Sequence, residues 1–505
     1  DDAGIRLQHY WNPGTNGGEN IYWMLYRGAL NEEIRDRVLG MASLRYNFTD
    51  KLSLQVRTSF DKLNDSWTYR EYHNTFTIAD FGDLSLDNRN SMEFNGDFML
   101  NYNNTWADGL ISLDISGGGN MLITGSQTVN TQTNRLLKPN LFVITNTSRI
   151  SSSQGGSEKQ INSLYGFATL GFKNSLFLHV TGRNDWSSTL PKDSWSYFYP
   201  SVGLNWIITE MLETNPGILT FAKVRASYAE VGNDTDPYKL DKTYSFGAGG
   251  QLGHAWRGGT LPNENLKPEN TKSTELGFDV RFLNNRLGLD FTWYKSNTFN
   301  QLLSVPLPQA SGYTARFINA GNVQNKGMEI ILNATPVQIG DFSWDISINY
   351  AQNENRVIEL TPELKEYTTR SRNWATTIKV VEGGLYNEIF ARDILTNDAG
   401  RVLINALGLP ETAPGQTISQ GNMDPDWLGG MSNVFNYKGI NLSILIDARM
   451  GGVLYSHTEA NLTFDGYSEQ TLHGREGFVV DGVLVSDGSE NNIETTAEAY
   501  WHSLG

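Results

Sequence analysis

Apolar and polar residues alternate with a period of two along much of the chain. In FSWDISINY, Phe342, Trp344, Ile346, Ile348 and Tyr350 share one face, and Ser343, Asp345, Ser347 and Asn349 share the other. That is the spacing of a strand, whose successive side chains point to opposite sides. GINLSILIDA repeats the pattern with Ile440, Leu442, Ile444 and Ile446 against Asn441, Ser443 and Asp447, and LGLDFTWY does so with Leu287, Leu289, Phe291 and Trp293.

The turns test this reading, because residues paired across a hairpin must lie on one face and a wrong loop length would set apolar against polar. Around Asn284-Asn285, Phe282 meets Leu287; around Lys438-Gly439, Tyr437 meets Ile440. Three-residue loops at Lys173-Asn174-Ser175 and Thr49-Asp50-Lys51 set Phe172 opposite Leu176 and Phe48 opposite Leu52. The pattern predicts seven hairpins, near 37–60, 92–123, 163–183, 199–230, 273–296, 327–353 and 431–448, hence fourteen strands. Connections within hairpins are short. Those between them are long, at 125–160, 231–272, 297–326 and 354–430, an asymmetry typical of outer-membrane barrels and unusual in compact soluble domains.

The balance of 39 basic against 55 acidic residues gives a net charge of −16, which opposes the phosphate neutralisation that nucleic-acid binding requires. Cysteine is absent, which removes disulfides and thiolate metal sites. No uninterrupted run of about 18 apolar residues occurs, which excludes spanning helices but not a barrel, whose strands alternate. A soluble sandwich or propeller would alternate too, but a propeller would repeat every ~40 to 45 residues, and the hairpins here are unevenly spaced.

Several segments then resemble blocks of the SusC/RagA-like TonB-dependent transporters of the Gram-negative outer membrane. They are TGRNDWSSTLP with YFYPSVGLNWIITE, VRASYAEVGN, LKPENTKSTELGFDVRFLNNRLGLDFTWY, NAGNVQNKGMEIILNATP, FSWDISINYAQNENRV and MDPDWLGGMSNVFNYKGINLSILIDARMGGVLYSHTE. The resemblance spans nearly the whole chain. It implies an all-β fold, a transmembrane antiparallel β-barrel of 22 strands around a plugged lumen, with about 14 of them here. Residues 1–505 are then a partial barrel domain without the N-terminal extension, plug and final strands.

The implied function is nutrient import: uptake of oligosaccharides or peptides, with a SusD-like surface lipoprotein over the mouth and the TonB complex acting through the absent N-terminal region. Outer-membrane lipid is the implied surroundings and no cofactor is implied. A passive porin or adhesin, or a soluble carbohydrate-binding β protein, is the alternative.

In this reading LFLHV rises through the membrane, TGRNDWSSTLP is an outer loop and YPSVGLNWII descends, with Trp186, Trp195, Tyr197 and Tyr199 near the interface. Arg183, Asp185 and Trp186 are the candidate substrate-binding residues, since an aromatic face beside charged groups suits a sugar ring; loop packing explains the cluster equally. The inward polar positions are Asp290, Thr292, Asp345, Ser347 and Asn349. Enzymatic readings lack support: no GxSxG, HExxH or Walker-type loop occurs, and His9, His73, His179 and His254 have no ligand spacing. Glu269, Glu275 and Glu329 are expected to hydrogen-bond within the barrel. Asp234 and Asp236 in GNDTDP, with Asp424 and Asp426 in MDPDW, suit turn capping better than calcium.

Overall fold

The structure, a computed structural model, describes residues 29–73, 81–212, 217–247, 253–362, 364–372 and 376–504. The opening segment with His9 and NIYWMLYR lies outside the described residues. One antiparallel sheet dominates, and its strands follow the chain without a crossover. They are β1 (Ala29–Asn47), β2 (Leu52–Glu71), β3 (Asp83–Trp106), β4 (Ile111–Gln132), β5 (Ser151–Phe172), β6 (Leu176–Ser187) and β7 (Ser196–Ile207). The path continues through β8 (Leu219–Asn233), β9 (Glu269–Phe282), β10 (Leu287–Pro306), β11 (Ala315–Ile339), β12 (Phe342–Glu359), β13 (Trp427–Tyr437) and β14 (Ile440–Met450).

These fourteen strands form the seven expected hairpins, in the expected register. Phe282 pairs with Leu287, Phe172 with Leu176, and Tyr437 with Ile440. Lys438 and Gly439 take φ of 44° and 85°, the left-handed pair whose twist matches that of the flanking strands.

The strands outrun the expectation at the opposite end. The connection expected over 297–326 shrinks to residues 307–314, and that over 125–160 to residues 133–150. Outer halves such as SQTVNTQ on β4 and SSSQGGSEKQ on β5 are polar on both faces, so they lack apolar alternation. Their backbones still pair residue by residue from Gln132↔Ser151 down to Ile111↔Phe172, because ladder hydrogen bonds do not depend on side-chain type.

The two faces differ as the alternation requires. One row across six strands runs Leu178, Leu204, Ala226, Leu276, Trp293, Met328. Its neighbour on the opposite face runs His179, Gly203, Ser227, Glu275, Tyr294, Gly327. The apolar row looks outward with no protein over it: Leu178, Leu204 and Leu276 are 38%, 44% and 48% exposed. Such a surface in water would be costly. β1 and β14 end the path, and no pairing joins them among the described residues.

At the long-loop end, the connection after β12 folds into a four-stranded sheet of Glu366–Arg372, Thr376–Val381, Glu388–Ile394 and Thr412–Asn422. Its base is an apolar cluster of Val357, Leu360 and Val380 with Leu303, Tyr367 and Tyr386. The segment after β14 returns to this unit. Leu403–Ile404 pairs in parallel with Val483–Leu484, Ile404 is fully buried, and Arg401 bonds Glu490 (2.8 and 3.0 Å) and Asp481 (2.9 Å). The two connections are therefore packed into one body.

Glu382 ties the base of that body together, accepting from Lys365 Nζ (2.7 Å) and from the Leu360 backbone N–H (3.0 Å). The Lys365 hydrogen bond, then the Leu360 one, holds its carboxyl below the usual carboxylate range. A depressed folded pKa stabilises above the unfolded value of about 4.3, and that stabilisation is lost as pH falls through the folded value. Protease cleavage within 360–382 is therefore expected to rise between pH 5 and pH 3, and Glu382→Gln to flatten the rise; an identical profile in the variant would refute the assignment.

Candidate ligand-facing wall

The polar face gathers the charged side chains, and they are tied to one another across strands. Arg225 on β8 donates to Asp290 on β10 through Nη1 (3.1 Å) and Nη2 (2.5 Å). It reaches over β9 at Gly277, where a Cβ would meet Arg225 Nε at 2.7 Å; only glycine leaves that crossing open. Arg57 bonds Asp97 (3.1 Å) and Arg37 bonds Asp61 in the same manner. Thr335 donates to Asp345 (2.6 Å). By register, Asp290, Thr292, Ser347 and Asn349 share this face with Glu275 and Glu329, as expected for the inward side. Glu269 accepts from the Leu302 N–H (2.9 Å), a bond within the wall.

The TGRNDWSSTLP segment differs from the expectation in one respect. Residues 181–187 are strand, paired with β5 and β7, and only the remainder turns. Polar residues on both faces hide this strand end from the alternation. The extension separates the candidate residues. Arg183 and Asp185 share the inward face, with Arg183 Nε 2.8 Å from Asp185 Oδ1, whereas Trp186 points to the opposite side by strand alternation. The three do not form one site.

Arg183 also donates to Ser163 Oγ (2.8 Å) and lies 5.7 Å from the Tyr165 ring centroid, and Tyr199 donates its hydroxyl to Asp185. Tyr197 and Tyr199, whose rings stack at 6.0 Å, belong to this inward cluster and not to an outer girdle. Trp186 keeps the girdle orientation.

A feature that the sequence conceals lies above this cluster. Asp234, from GNDTDP, folds back on TGRNDWSSTLP: its side chain is 5% exposed and accepts from Lys159 Nζ (2.6 Å), from Thr189 Oγ1 (3.2 Å) and from Ser187 Oγ. Aspartates near a strand end suggest capping, but nothing in the spacing of two segments 45 residues apart indicates this partner. Asp236 is exposed beside Lys239. Asp424 accepts from Asn387 Nδ2 (3.2 Å). Among the described residues no group of three carboxylate or histidine side chains is placed to hold a metal ion. The described histidines are dispersed: His179 bonds Thr169 (2.9 Å) and His254 packs on Trp256.

The outward apolar rows, the inward polar wall and the short turns at one end describe a membrane barrel wall, and no described helix is long and apolar enough to cross a membrane. Residues 2–380 match the family model described as TonB dependent receptor-like, beta-barrel. The chain belongs to the TonB-dependent receptor β-barrel family. Members are outer-membrane receptors and not enzymes, so the short turns face the periplasm and the long connections the exterior.

The chain is 25% identical over 454 residues to TonB-dependent receptor P3 of Formosa agariphila, covering 82% of this chain and 44% of that protein. It is 26% identical over 319 residues to TonB-dependent receptor SusC of Bacteroides thetaiotaomicron, covering 58% and 31%. Among solved structures it is similar to the RagAB peptide transporter, with a TM-score of 0.71, 17% identity, and coverage of 84% and 48%. The chain thus spans about half the length of the curated relatives it matches most fully.

Proposed function

We propose that this TonB-dependent receptor wall belongs to an energised importer of oligosaccharides or peptides. The observation that carries this reading is the long-loop end: the connections around β12–β14 form one packed body above an inward face of paired charges and hydroxyls. That arrangement suits a ligand received outside and passed through a wet lumen. The similar RagAB is a peptide transporter, which favours oligomeric cargo.

A SusD-like lipoprotein closes over the mouth, and the TonB complex pulls on a plug supplied by a region outside this wall. Residues 1–505 are one part of a larger barrel, with further strands joining the free edges of β1 and β14, since an unpaired edge in lipid leaves backbone groups unsatisfied. Within this reading Arg183 and Asp185 are ligand-facing groups at the inner mouth, and Trp186 is an interface anchor.

The test is uptake of labelled oligosaccharides and oligopeptides by cells with and without the gene, each with TonB intact or inactivated, alongside affinity capture of lipoprotein partners. Uptake of one class is expected to require both the gene and TonB. Gene-dependent uptake that persists without TonB would favour a passive porin instead.

A further inference from the structure

The outer face of β2–β5 changes character along its length. Near the periplasmic turns it is apolar, with Val56, Phe98, Leu100, Met121 and Leu164 between 37% and 55% exposed. Lys62, eleven positions into β2 counting from Leu52, stands where a strand of about 9 to 11 residues has crossed the hydrocarbon. There the same face turns polar. In one row Lys62 pairs with Met92, Met92 with Gly125, and Gly125 with Glu158. In the next row outward, Asn90 pairs with Gln127 and Gln127 with Gly156.

A cavity of about 600 Å³ lies over these rows, lined by Lys62, Asn90, Gln127, Gln154, Glu158 and Tyr238. It is hollow because Gly125 and Gly156 occupy its floor. Tyr238 is fixed at its rim by accepting the Glu158 backbone N–H (3.2 Å). The Lys62 ammonium, the Glu158 carboxylate and both glutamine amides have no side-chain partner among the described residues. Ser126 and Ser157, which also line the groove, instead bond each other across the strands (2.9 Å).

We propose that this groove holds the phosphorylated saccharide headgroup of an outer-leaflet glycolipid. The groove opens directly from the lipid-facing band, so acyl chains run down Met92 and the apolar rows below while the headgroup stays at the water boundary. Two glutamines, an asparagine and a carboxylate offer donors and acceptors for sugar hydroxyls, and the Tyr238 ring offers a face to a sugar. The single ammonium, Lys62, takes the phosphate. The site faces away from the lumen and does not depend on the importer reading, only on the barrel standing in an outer membrane.

The protein expressed from its complete gene, purified in mild detergent and delipidated, tests this by thermal shift and native mass spectrometry against two probes. One is monophosphoryl lipid A; the other is soluble N-acetylglucosamine 1-phosphate. Wild type is expected to bind the lipid and be stabilised by it, with the soluble probe at least tenfold weaker. Lys62→Gln is expected to weaken lipid binding at least tenfold, while Lys62→Arg retains it. Gly125→Leu fills the groove, and the nearest contact of its Cβ, Ser157 O at 3.8 Å, leaves the strand undisturbed; it should also lose the lipid.

Unchanged lipid binding in Lys62→Gln would overturn the proposal, as would a soluble probe that binds as tightly as the lipid. A heat-modifiable gel shift confirms folding, and if Gly125→Leu fails it, the Lys62 pair decides alone.

Discussion

Asp234→Ala is expected to destabilise the barrel by about 3 kcal/mol, among the larger losses available from any single truncation in this wall. The reason is what the substitution leaves behind. Lys159 keeps its ammonium, with a side chain 24% exposed, and removing one partner of a largely buried pair costs roughly 3 to 5 kcal/mol because the other charge stays uncompensated. Ser187 and Thr189, at 0% and 3% exposure, lose the acceptor they share; the two hydroxyls still bond each other (2.9 Å), so one buried donor is left unsatisfied and adds to the loss.

The effect has a location as well as a size. The backbone bond from Ser188 N–H to Gln160 O (2.9 Å) sits beside the carboxylate, so hydrogen exchange at Ser188 should accelerate before the rest of β6 opens. Asp234→Asn keeps an acceptor without the charge and should fall between wild type and alanine. Asp236→Ala serves as the control, since that side chain is 86% exposed. Equal denaturation midpoints for Asp234→Ala and Asp236→Ala would dismiss the lock.

The motif around Arg183 thus acts first as structure, and this explains which parts of the molecule the sequence exposes. Alternation reports a difference between two solvents, so it is strong wherever one face meets lipid and the other water. Every hairpin crossing that boundary is legible, down to the pairing of Tyr437 with Ile440. Above the membrane both faces meet water and the signal vanishes. The outer reaches of β4, β5, β6 and β11 therefore read as loops although they are ladders.

The grouping of Trp186 with Arg183 and Asp185 follows from the same cause. Where residues 181–187 read as a loop, the three side chains are neighbours; as a strand, alternation sends Trp186 away from Asp185. The Asp234 lock and the Ile404–Leu484 pairing join segments far apart in the chain through contacts that carry no period at all. Pairings of that kind emerge only when the fold places the two segments side by side.

Val180→Arg and Thr181→Arg should separate widely, although the two positions are adjacent. Val180 lies near the middle of β6, pairs with Ala168 and Val202, and is 46% exposed on the apolar face. An arginine there places a guanidinium at mid-depth in hydrocarbon, which costs about 2 to 4 kcal/mol in membrane barrels. It is too far from either boundary for its stem to carry the charge fully to water.

Thr181 faces the lumen, where its hydroxyl bonds Ser201 Oγ (2.6 Å). An arginine at that position loses one exposed hydrogen bond, worth about 1 kcal/mol, but keeps its charge in a wet lumen. Stability measured by denaturant titration in lipid vesicles is expected to fall for Val180→Arg by at least twice the loss seen for Thr181→Arg. Equal losses at the two positions would mean that β6 does not divide lipid from lumen, and with it the inward placement of Arg183 and Asp185 would fail, because all four residues are set by one alternation along one strand.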